Sequence, residues 1–110
     1  MRPFDLAEGT PVVLYLHGPR EKVWGVLLGL TAAGVMLRGI ELDAFEDFMR
    51  QEVKGEEDLL GLVTAFYPMH RVDRLERDET VGPVLGYADR FAREVGRTIF
   101  EVIGLETGGD

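Results

Sequence analysis

The residues best suited to bind a ligand lie around Pro68, where Tyr67 precedes the proline and His70 and Arg71 follow it. A tyrosine ring can stack on a base or another flat group, while the two basic side chains hold a phosphate or a carboxylate. The alternative is structural, with Tyr67 covering a core and Arg71 paired with a nearby acid. The acids available for that pair are Asp73, Glu76 and Asp78. The many acids favour the structural role, and binding by Tyr67, His70 and Arg71 stays open as the functional one.

Catalytic and metal-binding residues are scarce. The chain has no cysteine and no serine, which excludes a disulfide framework, a thiolate zinc site and the two commonest nucleophiles. Neither His17 nor His70 has carboxylates at a recognised metal-ligand spacing. We therefore predict that the protein is not an enzyme and holds no cofactor and no metal.

Acidic residues cluster in two stretches, and both have simpler roles than cation binding. The two sets are Asp43, Glu46 and Asp47, and then Glu56, Glu57 and Asp58. Neither forms the Asp-x-Asp-x-Asp-Gly loop that typically binds calcium. The first set is therefore interpreted as a helix cap and the second as a solvated loop.

Arg71, Arg74 and Arg77 recur every third residue among acids. On a strand, Arg71 and Arg77 share one face and Arg74 lies on the other, so the three form no single basic stripe. This pattern predicts a solvated, salt-bridged edge strand that resists aggregation.

Length and composition predict one folded domain over residues 1–110. The chain is 45% apolar and 29% charged, which is ordinary for a globular protein. Its net charge of −8 disfavours RNA, since phosphate binding normally needs a basic face. The N-terminus has no charged-then-apolar leader, and the longest apolar stretch, Val23 to Leu37, is too interrupted to span a bilayer. We expect a cytoplasmic protein without a membrane partner.

The choice of polar residues carries a second signal. Serine and asparagine are absent, and ten arginines accompany two lysines. A thermophilic source would select such a composition, and a GC-rich genome would give the same arginine bias. Both explanations stay open.

Five strands and two helical segments are predicted. Runs of β-branched and aromatic residues between glycine and proline turns place strands at 12–17, 22–30, 35–42, 62–67 and 69–76. The first three form an antiparallel meander because their turns are short. A helix at 43–53, capped by Asp43 and Glu46, interrupts the strands.

The C-terminal segment, about 83–104, is predicted to be helical. Tyr87, Phe91 and Val95 recur every fourth residue, and Gly96 ends the run. Thr98 to Glu101 forms a capping box that starts a further helical turn. An exposed face at Tyr87, Phe91 and Val95 would indicate a larger assembly.

Glycines on one face of the second strand, Gly25 and Gly29, indicate sharp curvature. The predicted fold class is therefore α+β and mainly β. A strongly bent, five-stranded antiparallel barrel of SH3 type forms the core at about 11–78, a short helix separates strands three and four, and a C-terminal helix follows.

The strand pattern resembles that of the Sm-like barrels. Gly18 and the run Gly25-Val26-Leu27 match the first Sm motif, and Tyr67-Pro68-Met69-His70 lies where the bacterial Sm-like RNA chaperone has a Tyr-Lys-His signature. The resemblance covers Val12–Leu42 and Leu62–Glu76. The second turn, Thr31 to Gly34, lacks the acid and asparagine that contact RNA bases, and the signature lysine is missing.

The resemblance implies assembly into a homo-oligomeric ring. Sm-like barrels pair the fourth strand of one subunit with the fifth strand of the next, and Leu62–Tyr67 and Met69–Glu76 are the corresponding edges here.

We therefore expect a non-catalytic interaction module that self-associates or binds a protein partner. The first alternative is an Sm-like RNA-binding protein that uses Tyr67, His70 and Arg71. The second is a regulatory domain that binds a small molecule in a cleft between subunits.

Overall fold

Five antiparallel strands and three α-helices form two layers in the computed structural model, which describes residues 6–55 and 61–103. The strands are β1 (Pro11–Leu16), β2 (Glu21–Thr31), β3 (Gly34–Glu41), β4 (Val63–Pro68) and β5 (Val72–Arg77). The helices are α1 (Phe45–Lys54), α2 (Tyr87–Val95) and α3 (Ile99–Ile103). Single turns of 3₁₀ helix lie at Leu42–Ala44 and Met69–Arg71. The predicted α+β class, the meander and the helix between strands three and four are confirmed.

The sheet is open, whereas a closed barrel was expected. Its strand order is β4-β3-β2-β1-β5, so β4 and β5 are the two edges. The 3₁₀ turn Met69–Arg71 takes up the start of the predicted fifth strand and bridges the two edges. Met69 donates its backbone N–H to Ala33 at 2.9 Å, and His17 donates to the Arg71 carbonyl at 2.9 Å. Because this turn carries the chain across the gap, β4 pairs with β3 and β5 with β1, and the ladder stays open.

Two glycines allow the backbones of β2 and β3 to approach closely in the middle of the sheet. Gly25 on β2 lies opposite Gly39 on β3. A Cβ on Gly39 would lie 2.2 Å from the Trp24 carbonyl oxygen, so the two backbones approach more closely than any side chain would allow. A bulge between Leu27 and Gly29 adds to the distortion of β2. The predicted role of Gly25 in curvature is consistent with this close approach.

The bent sheet buries a different core on each of its faces. The strand-lined core receives side chains from all five strands and contains Val12, Leu14, Leu16, Val23, Leu27, Val35 and Leu37. Tyr67 from one edge and Leu75 from the other pack against this same cluster, which only a bent sheet permits. The helix-covered core contains Val13, Trp24, Val26, Ile40, Phe45, Phe48, Met49, Leu62, Phe91 and Ile99.

Aromatic contacts fix the helices on the sheet. The Phe45 ring lies 5.7 Å from Trp24 and 5.4 Å from Tyr87, and Phe48 stacks on Phe91 at 5.8 Å between centroids. Edge-on and offset ring pairs at such distances add to the free energy of apolar burial. The face of α2 that carries Tyr87, Phe91 and Val95 therefore packs inward and offers no surface for assembly.

The helix ends confirm some local predictions and correct one. Thr98 and Glu101 form the reciprocal capping box, with both hydrogen bonds at 3.1 Å. Gly96 ends α2 in the left-handed conformation at φ 89°. The box predicted at Asp43 is wrong, because Asp43 lies within the 3₁₀ turn that precedes α1. Among the described helices, none is long and apolar enough to cross a membrane.

Asp78, just after β5, links the sheet to α2. Its carboxylate accepts hydrogen bonds from the Trp24 indole at 2.9 Å and from the backbone N–H groups of Tyr87 and Ala88 at 2.6 and 2.8 Å. Helix α2 is therefore capped by a residue from outside its own first turn. Gly86 precedes the helix because a Cβ there would lie 2.7 Å from the Asp78 carboxylate.

Replacing Asp78 with alanine should lower the free energy of unfolding by about 2–4 kcal/mol, since a buried indole N–H and two helix donors lose their acceptor. Urea unfolding followed by Trp24 fluorescence measures this loss. Asp73→Ala is the matched control. Asp73 lies 3.7 Å from His17 with both side chains exposed, so its removal should cost less than about 0.5 kcal/mol. Equal stabilities for the two variants would contradict the proposed role of Asp78.

Candidate functional site

The fold places the three predicted binding residues at one end of the sheet, but their burial and their contacts differ. Tyr67 lies near the end of β4 and packs, half-buried, on the strand-lined core. His70 is exposed on the 3₁₀ turn Met69–Arg71, and Arg71 at the end of this turn is half-buried. Tyr67 and Arg71 are close enough for the guanidinium to act on the tyrosine hydroxyl.

The Arg71 guanidinium holds the turn between β1 and β2. Nε donates to the His17 carbonyl at 3.1 Å, and Nη2 donates to the Pro19 carbonyl at 2.8 Å and to Glu21 Oε1 at 3.3 Å. An arginine can serve such a set of acceptors because its donors form a rigid fork. The structural alternative predicts an acid partner for Arg71. That partner is Glu21 on β2 and not one of the acids on or after β5.

The surroundings of Tyr67 are acidic. Burial raises the pKa of Tyr67, Glu21 and Glu41 raise it further, and Arg71 lowers it. The hydroxyl therefore remains protonated and available as a donor through the neutral pH range. An anionic ligand at this hydroxyl would meet two carboxylates and an arginine that already makes three hydrogen bonds.

A groove of about 370 Å³ lies beside this end of the sheet. Its lining consists of charged side chains, namely Arg20, Glu21, Lys22, Glu41 and Asp43. Small-molecule sites are mostly apolar with a few polar groups, so this lining differs from the usual one.

Metal ligation finds no support in the part of the chain that the structure describes. No group of three histidine, aspartate or glutamate side chains there is placed to hold an ion. The acids Glu56, Glu57 and Asp58 lie outside the described residues.

The β5 edge has the predicted charged character. Arg74 Nε lies 3.0 Å from Glu76 Oε2, and the Arg74 guanidinium lies 4.2 Å from the centroid of the Tyr15 ring. Tyr15 also donates to Glu76 at 3.0 Å. Arg71 lies in the 3₁₀ turn before β5 and not on the strand, so the prediction that Arg71 and Arg77 share one strand face is wrong.

The opposite edge, β4, corresponds to the strand Leu62–Tyr67 that the resemblance implies as an assembly edge, but its exposed side chains are not apparent from the sequence. It contains no charged residue, and its side chains Val63 and Phe66 are 58% and 50% exposed. Met36 on β3 lies directly opposite Phe66 and is 40% exposed. We call these three side chains with the outer edge of β4 the β4 surface. The available signal was the uncharged run Val-Thr-Ala-Phe-Tyr-Pro, which contrasts with the charged fifth strand.

The Phe66 ring is held against the sheet. A Cβ on Gly34 would lie 2.6 Å from Phe66 Cζ, so the ring occupies the space above this glycine. An aromatic ring over a strand glycine shields backbone that would otherwise be bare. One side of the ring is therefore fixed, and the other remains accessible.

No family model, curated protein or solved structure matches the chain.

Arg71→Ala should lower the free energy of unfolding by about 1.5–3 kcal/mol, because two turn carbonyls and Glu21 lose a charged donor. Arg71→Lys should recover only part of it, since an ammonium lacks the fork. Urea unfolding measures both. Arg50→Ala is the control, because Arg50 pairs with Asp47 on the exposed face of α1. An Arg71→Ala protein as stable as Arg50→Ala would leave the arginine free for a ligand.

Raising the pH should lower the free energy of unfolding of the native protein more than that of the Tyr67→Phe variant. The folded pKa of Tyr67 lies above the ordinary value of 10.0. The folded state therefore keeps its proton when the unfolded state loses it, and the stability present below this value is lost as pH rises through the folded pKa. Unfolding free energies measured at about pH 8 and about pH 11 test this difference. Equal losses in both proteins would show that Tyr67 titrates as it does in the unfolded chain.

Proposed function

We propose that the protein is a non-catalytic interaction module that self-associates through the β4 surface. The observation that carries the proposal is an edge strand that pairs with no described strand on its outer side, carries no charge and exposes two apolar side chains. Natural proteins usually protect such edges with charges, bulges or a covering loop, because an open edge readily pairs with another strand. The protein protects β5 in this way and leaves β4 without charges.

The position of the helices supports the same conclusion. They cover the sheet over Val13, Trp24, Val26 and Ile40, and these four side chains are buried. Met36 and Phe66 continue this face towards β4 but lie beyond the helix-covered core. The exposed pair is thus an uncovered continuation of a face whose remainder is buried.

The charge of the molecule limits where a second copy can bind. Each chain carries a net charge of −8, which opposes association of two copies and is least unfavourable where the contact brings no acidic groups together. β4 itself has no charged residue, and its charged neighbour on β3 is the cation Arg38, which donates to Thr64, so a contact there brings no acids together. We place this self-association in the cytoplasm.

The alternatives have weaker support. RNA binding through Tyr67, His70 and Arg71 would have to release Arg71 from the β1–β2 turn, where it already donates three hydrogen bonds. The RNA phosphates would also meet the negative charges of Glu21 and Glu41, which act on Tyr67. A small-molecule site is usually a mostly apolar pocket, whereas the groove next to Glu21 is lined by charged residues. The fold-level resemblance to Sm-like barrels stays a proposal, supported by the close approach of β2 and β3 at Gly25 and Gly39.

Light scattering behind a sizing column should give a discrete mass above the 12.3 kDa of one chain at micromolar concentration. Phe66→Asp should raise the dissociation constant by roughly tenfold or more, since it places a charge in the contact. Val81→Asp is the control, because Val81 is 65% exposed in the turn before α2. Trp24 fluorescence verifies that both variants fold.

A strictly monomeric native protein would overturn the proposal. A mass that increases only when short RNA is added at low salt would favour the RNA-binding alternative instead.

A further inference from the structure

We infer that two copies join β4 to β4 in antiparallel orientation about a two-fold axis, so that their sheets form one ten-stranded sheet. The inference rests on the proposed self-association and names its geometry. It differs from a ring, in which β4 of each copy would pair with β5 of the next.

The charges on β5 argue against the ring. Asp73, Arg74, Glu76 and Arg77 occupy four of the six positions of β5. Pairing β4 with this strand would set Val63 and Phe66 beside charged groups and remove part of their hydration, which costs free energy. The Arg74–Glu76 pair and the Tyr15 contacts would also have to persist at the junction.

The sequence of β4 is complementary to itself. An antiparallel pair centred on Ala65 sets Ala65 opposite Ala65 of the second copy, Thr64 opposite Phe66, and Val63 opposite Tyr67. Directly opposed side chains on one face lie close enough to contact each other. Each exposed apolar side chain of β4 thereby gains a neighbour: a threonine methyl for Phe66 and a tyrosine ring for Val63.

A residue of β3, the strand next to β4 in the same copy, also contributes to this contact. Arg38 on β3 donates to the Thr64 hydroxyl at 3.4 Å, so the two side chains share a face. Pairing about Ala65 brings Phe66 of the second copy beside this threonine and within reach of Arg38, where a guanidinium can lie on the open side of the ring. Met36 and Arg38 of opposite copies thus flank each Phe66, and the arrangement occurs twice by symmetry.

An assembly that forms through this contact is complete with two copies. A two-fold interface uses the same surface on both subunits and leaves no further copy to add. The expected mass is therefore twice 12.3 kDa. Both β5 edges remain at the ends of the joint sheet, where their charges discourage further addition.

A single cysteine tests the register directly, because the chain has none of its own. In Ala65→Cys the two sulfurs face each other across the axis. Opposed residues in an antiparallel pair have Cα atoms about 4.5–5.5 Å apart, within the range of about 4.4–6.8 Å that a disulfide spans. Mild oxidation should convert most of the protein into a covalent dimer on a non-reducing denaturing gel.

Leu75→Cys, near the middle of β5, is the matched control and should stay uncrosslinked when oxidised alone. The two variants are also mixed in equal amounts, and the mass of each reduced variant is verified against the native protein. Native hydrogen exchange gives an independent readout, because the β4 amides should become more protected as the protein concentration rises.

The outcomes separate this inference from the proposed function. A discrete oligomer whose Ala65→Cys form stays uncrosslinked overturns the β4–β4 arrangement and leaves self-association standing. Cross-linking only in the mixture with Leu75→Cys would establish the ring. A native monomer overturns both. A dimer whose Ala65→Cys form cross-links alone, while Leu75→Cys does not, supports the inference.

Discussion

The carboxylate of Asp78 is the interaction on which the two-layer arrangement depends. It receives the indole N–H of Trp24, which is fully buried in the sheet, and the first backbone donors of α2. A buried indole without an acceptor and a helix end without a cap are both costly, so one carboxylate removes two penalties together. The path from β5 to α2 and the way α2 lies over Trp24 follow from this constraint.

The same arrangement decides which part of the sheet is left uncovered. The aromatic side chains of α1 and α2 pack around Trp24, which lies in the middle of the sheet on β2. Ion pairs hold the helices together over this region: Glu46 on α1 pairs with Arg90 on α2, and Glu52 on α1 pairs with Arg97, just after α2, at 3.0 Å. β4 is two strands away from β2 on the other side of β3, so its face continues beyond the helices and exposes Phe66.

Arg71 and Tyr67 show how the same residue types serve structure or binding according to their neighbours. An aromatic and a basic side chain that lie close together can hold a flat, anionic group. Here the turn brings Arg71 against the carbonyls of His17 and Pro19, and Glu21 is close enough to raise the pKa of Tyr67. The guanidinium is consequently engaged within the chain, and the tyrosine lies in an acidic environment.

The sequence by itself determined most local features of this protein: the order of the strands and helices, the end of α2 at Gly96 and the capping box at Thr98. These depend on side-chain periodicity and on backbone preferences within a few residues. The tertiary structure alone decided that the sheet stays open, that Glu21 is the partner of Arg71, and that Asp78 caps α2. Each of these features joins residues that are distant in sequence or depends on where a connection crosses the sheet. The exposure of β4 belongs to the same class, because a strand becomes an edge only through the pairing of all the others.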